Sequence, residues 1–214
     1  MRDLFDEVES NAAVALGTSA FVLPGFAMPD EKMLLDGIAS LESRSPFQKM
    51  KTPSGLAMSV SLINCGKFGW TSSRFGYKYS EVNPETGKPW PEIPAGFAHL
   101  ASQIALTAGF KRFEPNTCVI NRYLPGAKLS LHQDKHERNL EEPVVTISLG
   151  MTATFLFGGH ERSDKTLRTL LHHGDAVVWG GEDRLRYHGI LPVADYPHPI
   201  LGSRRISITF RKVD

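Results

Sequence analysis

Hydrophobic residues recur along the chain with two periods, and the change from one to the other divides it. From Pro29 to Ser43, Met33, Leu34, Ile38 and Leu41 fall at the spacing of one helix face, and Pro29, Asp30 and Glu31 suit a first helical turn. Phe97, Leu100, Ala101, Ile104 and Ala108 repeat that spacing over Ala95–Ala108. The segment ahead of the first helix reads as a short helix followed by a strand near Ala20–Leu23. Between the two long helices lies a loop-rich stretch, Thr52 to Pro94, with one strand expected at Ala57–Asn64. It holds Trp70, Tyr77, Tyr79 and Trp90 among glycines and prolines, with Lys67, Arg74 and Lys78. After Glu114 the period drops to two. Strands are expected at Thr117–Leu124, Lys128–Gln133, Val144–Leu149, Thr152–Phe157, Thr166–His172, Asp175–Trp179, Arg186–Ile190 and Arg205–Arg211. Eight short strands joined by tight glycine-bearing turns predict an antiparallel sandwich or barrel of jelly-roll type, with the N-terminal helices packed outside it.

Composition narrows the classes. A chain of 214 residues fits one domain with an extension, and a folded chain of that size buries about 70% of its surface without disulfide or metal staples. At 41% hydrophobic and 22% charged it is neither disordered, nor a coiled coil, nor collagen-like. Two cysteines, Cys65 and Cys118, make neither a disulfide framework nor a four-cysteine zinc site, and read as reduced thiols of an intracellular protein. The formal net charge of +1 hides an asymmetry: residues 1–43 carry −6 and the rest +7, so a phosphate-binding face is possible as a local patch. Asn11 to Pro29 is uncharged, but Gly17, Pro24 and Gly25 interrupt it, and acidic residues precede it where a signal peptide needs positive charge. No membrane segment is expected, and the expected compartment is the cytoplasm.

The candidate chemistry begins at Leu131-His132-Gln133-Asp134. Alternate residues of a strand share a face, so His132 and Asp134 would point together and offer two ligands to a metal. With a third ligand they would form the two-histidine, one-carboxylate set of non-haem Fe(II) oxygenases, which leaves positions open for co-substrate and oxygen. The bland alternative is a hydrogen-bonded surface pair. His188, in Arg186-Tyr187-His188-Gly189-Ile190, is the best third ligand; His172 and His173 compete, with at most one of them facing inward. His99, His136, His160 and His198 read as exposed or satisfied histidines. In the last strand Arg205, Ser207, Thr209 and Arg211 share one face and Ile206, Ile208 and Phe210 the other. The polar face is either solvated or a carboxylate clamp, because guanidinium forks match planar carboxylates. Asn121 and Tyr123 share a face in the same way, with Arg122 opposite.

Asn121-Arg122-Tyr123 with Pro125-Gly126, His132-Gln133-Asp134, Leu149-Gly150, Gly174-Asp175, Trp179-Gly180-Gly181, Tyr187-His188-Gly189 and Arg205 to Arg211 follow one another in an order that resembles the AlkB family. The resemblance extends upstream through Met58-Ser59-Val60, Asn64-Cys65-Gly66, Gly69-Trp70, Gly76-Tyr77 and Lys88-Pro89-Trp90, covering nearly everything from about Ser45. It implies an α+β fold: a double-stranded β-helix (jelly roll) core with N-terminal helices and a nucleotide-recognition lid. In one compact domain, residues 1–44 would be the extension and helix, 45–94 the lid and 95–214 the core. It also implies an Fe(II)- and 2-oxoglutarate-dependent dioxygenase that uses O2 to remove N-alkyl groups from damaged bases such as 1-methyladenine and 3-methylcytosine. The partner would be alkylated single-stranded DNA, with double-stranded DNA and RNA as further candidates. The protein would be a monomer without an obligate protein partner.

Residue by residue, the resemblance makes His132, Asp134 and His188 the iron ligands. Arg205 would pair with the distal carboxylate of 2-oxoglutarate, Asn121 and Tyr123 would bond that co-substrate, and Ser207 and Arg211 would lie near it. Trp70 and His132 would sandwich the base and Tyr77 would touch the nucleic-acid backbone. Thr52, Met58, Lys128, Ser130, His136 and Arg162 fall where the family meets the strand. Two positions depart from the family pattern: His136 stands where an acid is usual and would oppose a cationic base when protonated, and Ser207 stands where an asparagine is usual. Two other readings compete. A 2-oxoglutarate oxygenase of proteins or small molecules would not need Trp70, Tyr77 or the basic lid, and a cupin-like metal-binding module would not need Arg205.

Overall fold

The computed structural model describes residues 12–214. Strands β1 (Val14–Ala15) and β2 (Ala20–Leu23) lead into helix α1 (Glu31–Arg44), followed by β3 (Ser61–Gly66), β4 (Gly69–Ser73) and β5 (Gly76–Ser80). Helix α2 (Ala95–Thr107) precedes β6 (Thr117–Tyr123), β7 (Leu129–His132), β8 (Val144–Gly150) and β9 (Ala153–Phe157). The chain ends through β10 (Leu167–Leu171), β11 (Ala176–Trp179), β12 (His188–Ile190) and β13 (Arg205–Arg211).

Seven strands form one antiparallel sheet in the order β1-β2-β11-β8-β13-β6-β3, and four form a second, β10-β9-β12-β7. Strands β4 and β5 form a separate hairpin. The alternation read from the sequence is the alternation of the two cores. On β13, Ile206, Ile208 and Phe210 join Leu34, Ile38 and Leu41 of α1 and Phe97, Leu100 and Ile104 of α2, so both helices cover the outer face of the large sheet. The inner face carries Val177 and Trp179 of β11 against Phe155 and Phe157 of β9 and Ile190 of β12, between the sheets. Burying apolar area on both faces, at about 25 cal/mol per Å², holds the large sheet in the middle of the molecule. The predicted jelly-roll arrangement is the observed one, and all eight predicted C-terminal strands are present.

Two expectations are corrected. The short helix read before β2 is absent from the described residues 12–19, where Val14–Ala15 pairs with Phe21 and Val22; whatever part of it falls on residues 1–11 lies outside the described residues. Local propensity loses there to a tertiary anchor: the Ser19 backbone N–H donates to Asp183 Oδ2 at 2.6 Å, and a side chain at Gly17 would collide with Asp183 and Arg186. The stretch Thr52 to Pro94 holds three strands rather than one, because Trp70, Ser72, Tyr77 and Tyr79 pair across the β4–β5 hairpin. Among the described residues, no helix is long and apolar enough to cross a membrane.

Candidate active site

Strands β7 and β12 lie side by side in the small sheet and place His132 directly opposite His188. Gly189 permits this approach, since a Cβ there would stand 2.7 Å from the Leu129 carbonyl oxygen. Asp134 follows just beyond the end of β7 and turns the same way as His132. One ligand atom from each of His132, Asp134 and His188 lies within 4.8 Å of the others. His132 Nε2 is 3.8 Å from Asp134 Oδ1, and His188 Nε2 is 3.7 Å from Asp134 Oδ2.

Each imidazole is oriented by its own strand. His132 Nδ1 donates to the Ser130 carbonyl at 2.9 Å and His188 Nδ1 to the Arg186 carbonyl at 3.1 Å, which fixes the tautomer and leaves each Nε2 lone pair free for a metal. Burial first, and His132 second, lower the His188 imidazole to about 3 against the pull of Asp134, so it is neutral and ligand-ready at physiological pH. For Asp134 burial works in the raising direction, but Arg211, His188, His132 and Arg184 together hold its carboxyl below the ordinary range. Arg211 grips Oδ2 with Nε at 2.8 Å and Nη2 at 2.6 Å. That grip engages Oδ2 and turns Oδ1 toward His132. His173 does not join this cluster: its Nδ1 accepts the Gly150 N–H at 2.9 Å and its ring stacks on His198 at 4.2 Å.

Facing these ligands across the sandwich is the polar side of β13. The solvated reading of that strand is excluded, for Arg205, Ser207 and Thr209 are 1%, 6% and 6% exposed. Asn121, Tyr123, Arg205, Ser207 and Arg211 line one cavity with His132, His188, Thr146 and Trp179. Its floor is a cluster of hydroxyls, with Thr146 Oγ1 3.0 Å from both Ser207 Oγ and Thr209 Oγ1. Arg205 spends its Nε–H on Ser148 Oγ at 3.1 Å and lies over the Tyr123 ring at 4.9 Å, while its buried Nη1 has no hydrogen-bond partner among the described residues. A buried guanidinium nitrogen without a partner is costly unless an anion completes it. Burial also pulls the Arg205 guanidinium below its usual value, partly offset by Tyr123.

The remaining expected residues are not among those lining the cavity, and each has surroundings of its own. Trp70 stacks on Tyr77 at 4.9 Å, and Tyr77 meets His136 edge-on at 6.0 Å. Met58 packs beside Leu129 against the inter-sheet core. Lys128 and Ser130 are exposed on either side of Leu129 at the start of β7, and the Lys128 backbone is tied to Ser59. Arg162 lies over the Tyr187 ring at 5.9 Å. Thr52 bonds within its own loop, 2.9 Å from Ser54 Oγ, and touches none of the other groups through a hydrogen bond. Sequence reasoning missed Tyr79, Glu137 and Arg184. Glu137 is buried, accepts the Tyr79 hydroxyl at 2.6 Å and the Arg184 Nη2 at 3.2 Å, and Arg184 also donates to the Asp134 carbonyl at 2.6 Å. The available signal was a glutamate three residues beyond Asp134 and an arginine four before His188, but nothing in the spacing joins them.

Two imidazoles and one carboxylate, facing a buried arginine whose Nη1 is unpartnered among the described residues, are the donor set of a non-haem Fe(II) oxygenase with a dicarboxylate co-substrate. Comparison with known proteins agrees. The family model for the 2OG-Fe(II) oxygenase superfamily matches residues 19–211. The chain is 52% identical over 213 residues to the alpha-ketoglutarate-dependent dioxygenase AlkB of Salmonella typhimurium, covering 99% of this chain and 98% of that one. It is 49% identical over 212 residues to AlkB of Escherichia coli, with the same coverage. The solved structure of OsALKBH1 superposes with a TM-score of 0.81 at 24% identity, covering 94% of this chain and 100% of that one, and shares the fold. The chain therefore belongs to the 2OG-Fe(II) oxygenase superfamily and, within it, to the AlkB family of dioxygenases. It is an Fe(II)- and 2-oxoglutarate-dependent dioxygenase.

Proposed function

We propose that the protein removes N-alkyl groups from damaged nucleobases, 1-methyladenine and 3-methylcytosine first among them. The observation that carries this reading is the meeting of a three-ligand metal cluster and an anion-seeking Arg205 with an aromatic hairpin whose Tyr77 reaches the segment beside Asp134. An oxygenase acting on a small metabolite has no use for the Trp70–Tyr77 ring pair, and a bare metal-binding module has no use for Arg205.

His132, Asp134 and His188 would hold Fe(II), with Arg211 fixing the Asp134 carboxylate from behind. Arg205 would take the distal carboxylate of 2-oxoglutarate through its free Nη1, and Asn121, Tyr123, Ser207 and Thr146 would bond the rest of that co-substrate. Iron with O2 and 2-oxoglutarate would supply the chemistry, oxidation of an N-methyl carbon to a hydroxymethyl group that leaves as formaldehyde, with succinate and CO2 as co-products. The chain's own task is binding and orientation. A base must leave its stack to reach a buried centre, and Trp70, with His132 on the other side, would stack on it for about 1–3 kcal/mol, while Tyr77 would touch the nucleic-acid backbone. Those π faces also favour a cationic alkylated base. Lys128, Ser130, Arg162, Thr52 and Met58 would meet the strand. In this reading residues 45–94 are the lid over a core of residues 95–214, and the protein acts as a cytoplasmic monomer on single-stranded DNA, with double-stranded DNA and RNA as further substrates.

The test is a mass spectrum of a short single-stranded DNA bearing one 3-methylcytosine after incubation with Fe(II), ascorbate, 2-oxoglutarate and air. The expected result is a 2-oxoglutarate-dependent loss of about 14 Da, one CH2. An unchanged strand with 2-oxoglutarate still converted to succinate would reject nucleobase repair while keeping the oxygenase.

A further inference from the structure

Glu137 is the most deeply enclosed carboxylate near the metal cluster, with a side chain 1% exposed, and no step of the proposed chemistry uses it. Around it hydrogen bonds and one ion pair form a closed arrangement. Arg184 bridges Glu137 Oε2 to the backbone carbonyl of Asp134, and Arg211 bridges the neighbourhood of Glu137 Oε1, at 3.5 Å, to the Asp134 carboxylate. One arginine thus holds the backbone of the metal ligand and the other its side chain, and Glu137 sets both. The remaining partner of Glu137 comes from elsewhere in the fold: the Tyr79 hydroxyl, on β5, donates to Oε1 at 2.6 Å.

The β4–β5 hairpin is otherwise tied to the large sheet and to its own flanks. The Trp70 backbone exchanges two hydrogen bonds with the side-chain amide of Asn64 on β3, each 2.9 Å, the Ser72 hydroxyl donates to the Lys51 carbonyl, and the Trp90 indole N–H donates to the Ser80 carbonyl. Among the described residues, the Tyr79–Glu137 bond is the one side-chain hydrogen bond that runs from the hairpin to the network gripping Asp134. Tyr79 also shares a hairpin face with Trp70, proposed to stack on the base, and with Tyr77, proposed to touch the nucleic-acid backbone.

From this arrangement we infer that Tyr79 is a positioning residue that couples the hairpin to the metal site through Glu137. When the hairpin is seated, Tyr79 fixes Glu137, and Glu137 fixes the two arginines that aim Asp134. Because coupling between two sites is reciprocal, filling the metal site must in turn steady the hairpin. This inference rests on reading His132, Asp134 and His188 as the metal centre.

Backbone hydrogen exchange of the intact protein tests it without turnover. Mn(II) with 2-oxoglutarate, under anaerobic conditions, stands in for the working metal. In the unsubstituted protein, filling the site slows exchange both at the ligand segment, residues 129–134, and at the hairpin, residues 69–80, the latter by about fivefold or more. Tyr79→Phe removes one oxygen and keeps the ring. It is expected to retain the slowing at the ligand segment and to lose it at the hairpin. Glu137→Gln, which keeps the shape and an acceptor for Tyr79 but drops the charge that holds the arginines, is expected to weaken Mn(II) binding as well. Undiminished metal-dependent slowing at the hairpin of Tyr79→Phe overturns the coupling, as does a hairpin in the unsubstituted protein that ignores the metal. Absence of Mn(II)-dependent slowing at residues 129–134 of the unsubstituted protein would overturn the metal reading itself and the coupling with it.

Discussion

Arg205→Lys isolates the co-substrate clamp while keeping a positive charge. Arg205 is 1% exposed, its Nε is committed to Ser148 and its stack to Tyr123, so its free donors are those that face the cavity. A two-point hold on a distal carboxylate is two charge-assisted hydrogen bonds at about 1.5–3 kcal/mol each. Lysine offers a point charge on a flexible stem, so it keeps about one of these and loses the planar stack. The expected loss is about 2–3 kcal/mol, roughly 30- to 150-fold in Kd for 2-oxoglutarate. The assay is calorimetric titration of Mn(II)-loaded protein with 2-oxoglutarate and, in parallel, with 2-oxobutanoate, which has the metal-chelating end and lacks the distal carboxylate. The substitution should weaken the first and leave the second unchanged, with Mn(II) affinity unaltered. Equal weakening of both ligands, or of neither, in protein that melts cooperatively would refute the assignment of Arg205 to the distal carboxylate.

Three further outcomes are expected. Asp134→Ala should abolish metal binding and turnover, and should also destabilise the fold by about 3 kcal/mol or less because the buried Arg211 keeps only its longer contact to Glu137; full turnover with added Fe(II) would reject the ligand set. Trp70→Ala should weaken binding of an alkylated oligonucleotide by about 1–3 kcal/mol in fluorescence anisotropy while leaving 2-oxoglutarate affinity unchanged, and equal losses in both would count against base stacking. The metal-free protein should lose stability as pH falls from about 6.5 toward 3. His188 titrates at about 3 when folded and near 6.5 when unfolded, so within that window the unfolded chain binds more protons and stability rises with pH, by an amount of order 4 kcal/mol. Denaturant melts across that range that showed a flat stability for the metal-free protein would contradict a buried neutral His188.

The parts of the fold that were legible are those where a single strand must satisfy two environments at once. In β13 the apolar residues answer to the helices and the polar ones to the cavity, so strict alternation marked both its bounds and its functional face. His132 and Asp134 were readable for the same reason, though β7 ends at His132 and Asp134 only continues its direction. The β4–β5 hairpin was not legible because neither of its faces is a continuous apolar stripe. Its aromatic rings Trp70 and Tyr77 stack on each other instead of joining a core, and its strands break the pattern on which strand recognition depends. The Tyr79–Glu137–Arg184 group was hidden because its members lie 58 and 47 residues apart and meet only through the sheet topology. The strand at Val14–Ala15 was misread because Asp183, distant in sequence, decides that turn.

The metal ligands and Arg205 belong to different sheets, the first to β7 and β12 and the second to β13. Facing sheets stand about 10 Å apart, a distance fixed by interlocked side chains throughout the interior and not by any loop. The gap between them therefore acts as a gauge. A molecule that must reach the metal at one end and the guanidinium at the other is selected by its length, and 2-oxo diacids one carbon shorter or longer are measured against the thickness of the sandwich itself. Substitutions in the loops and the hairpin leave this spacing untouched, whereas a co-substrate of another length would require moving one sheet against the other.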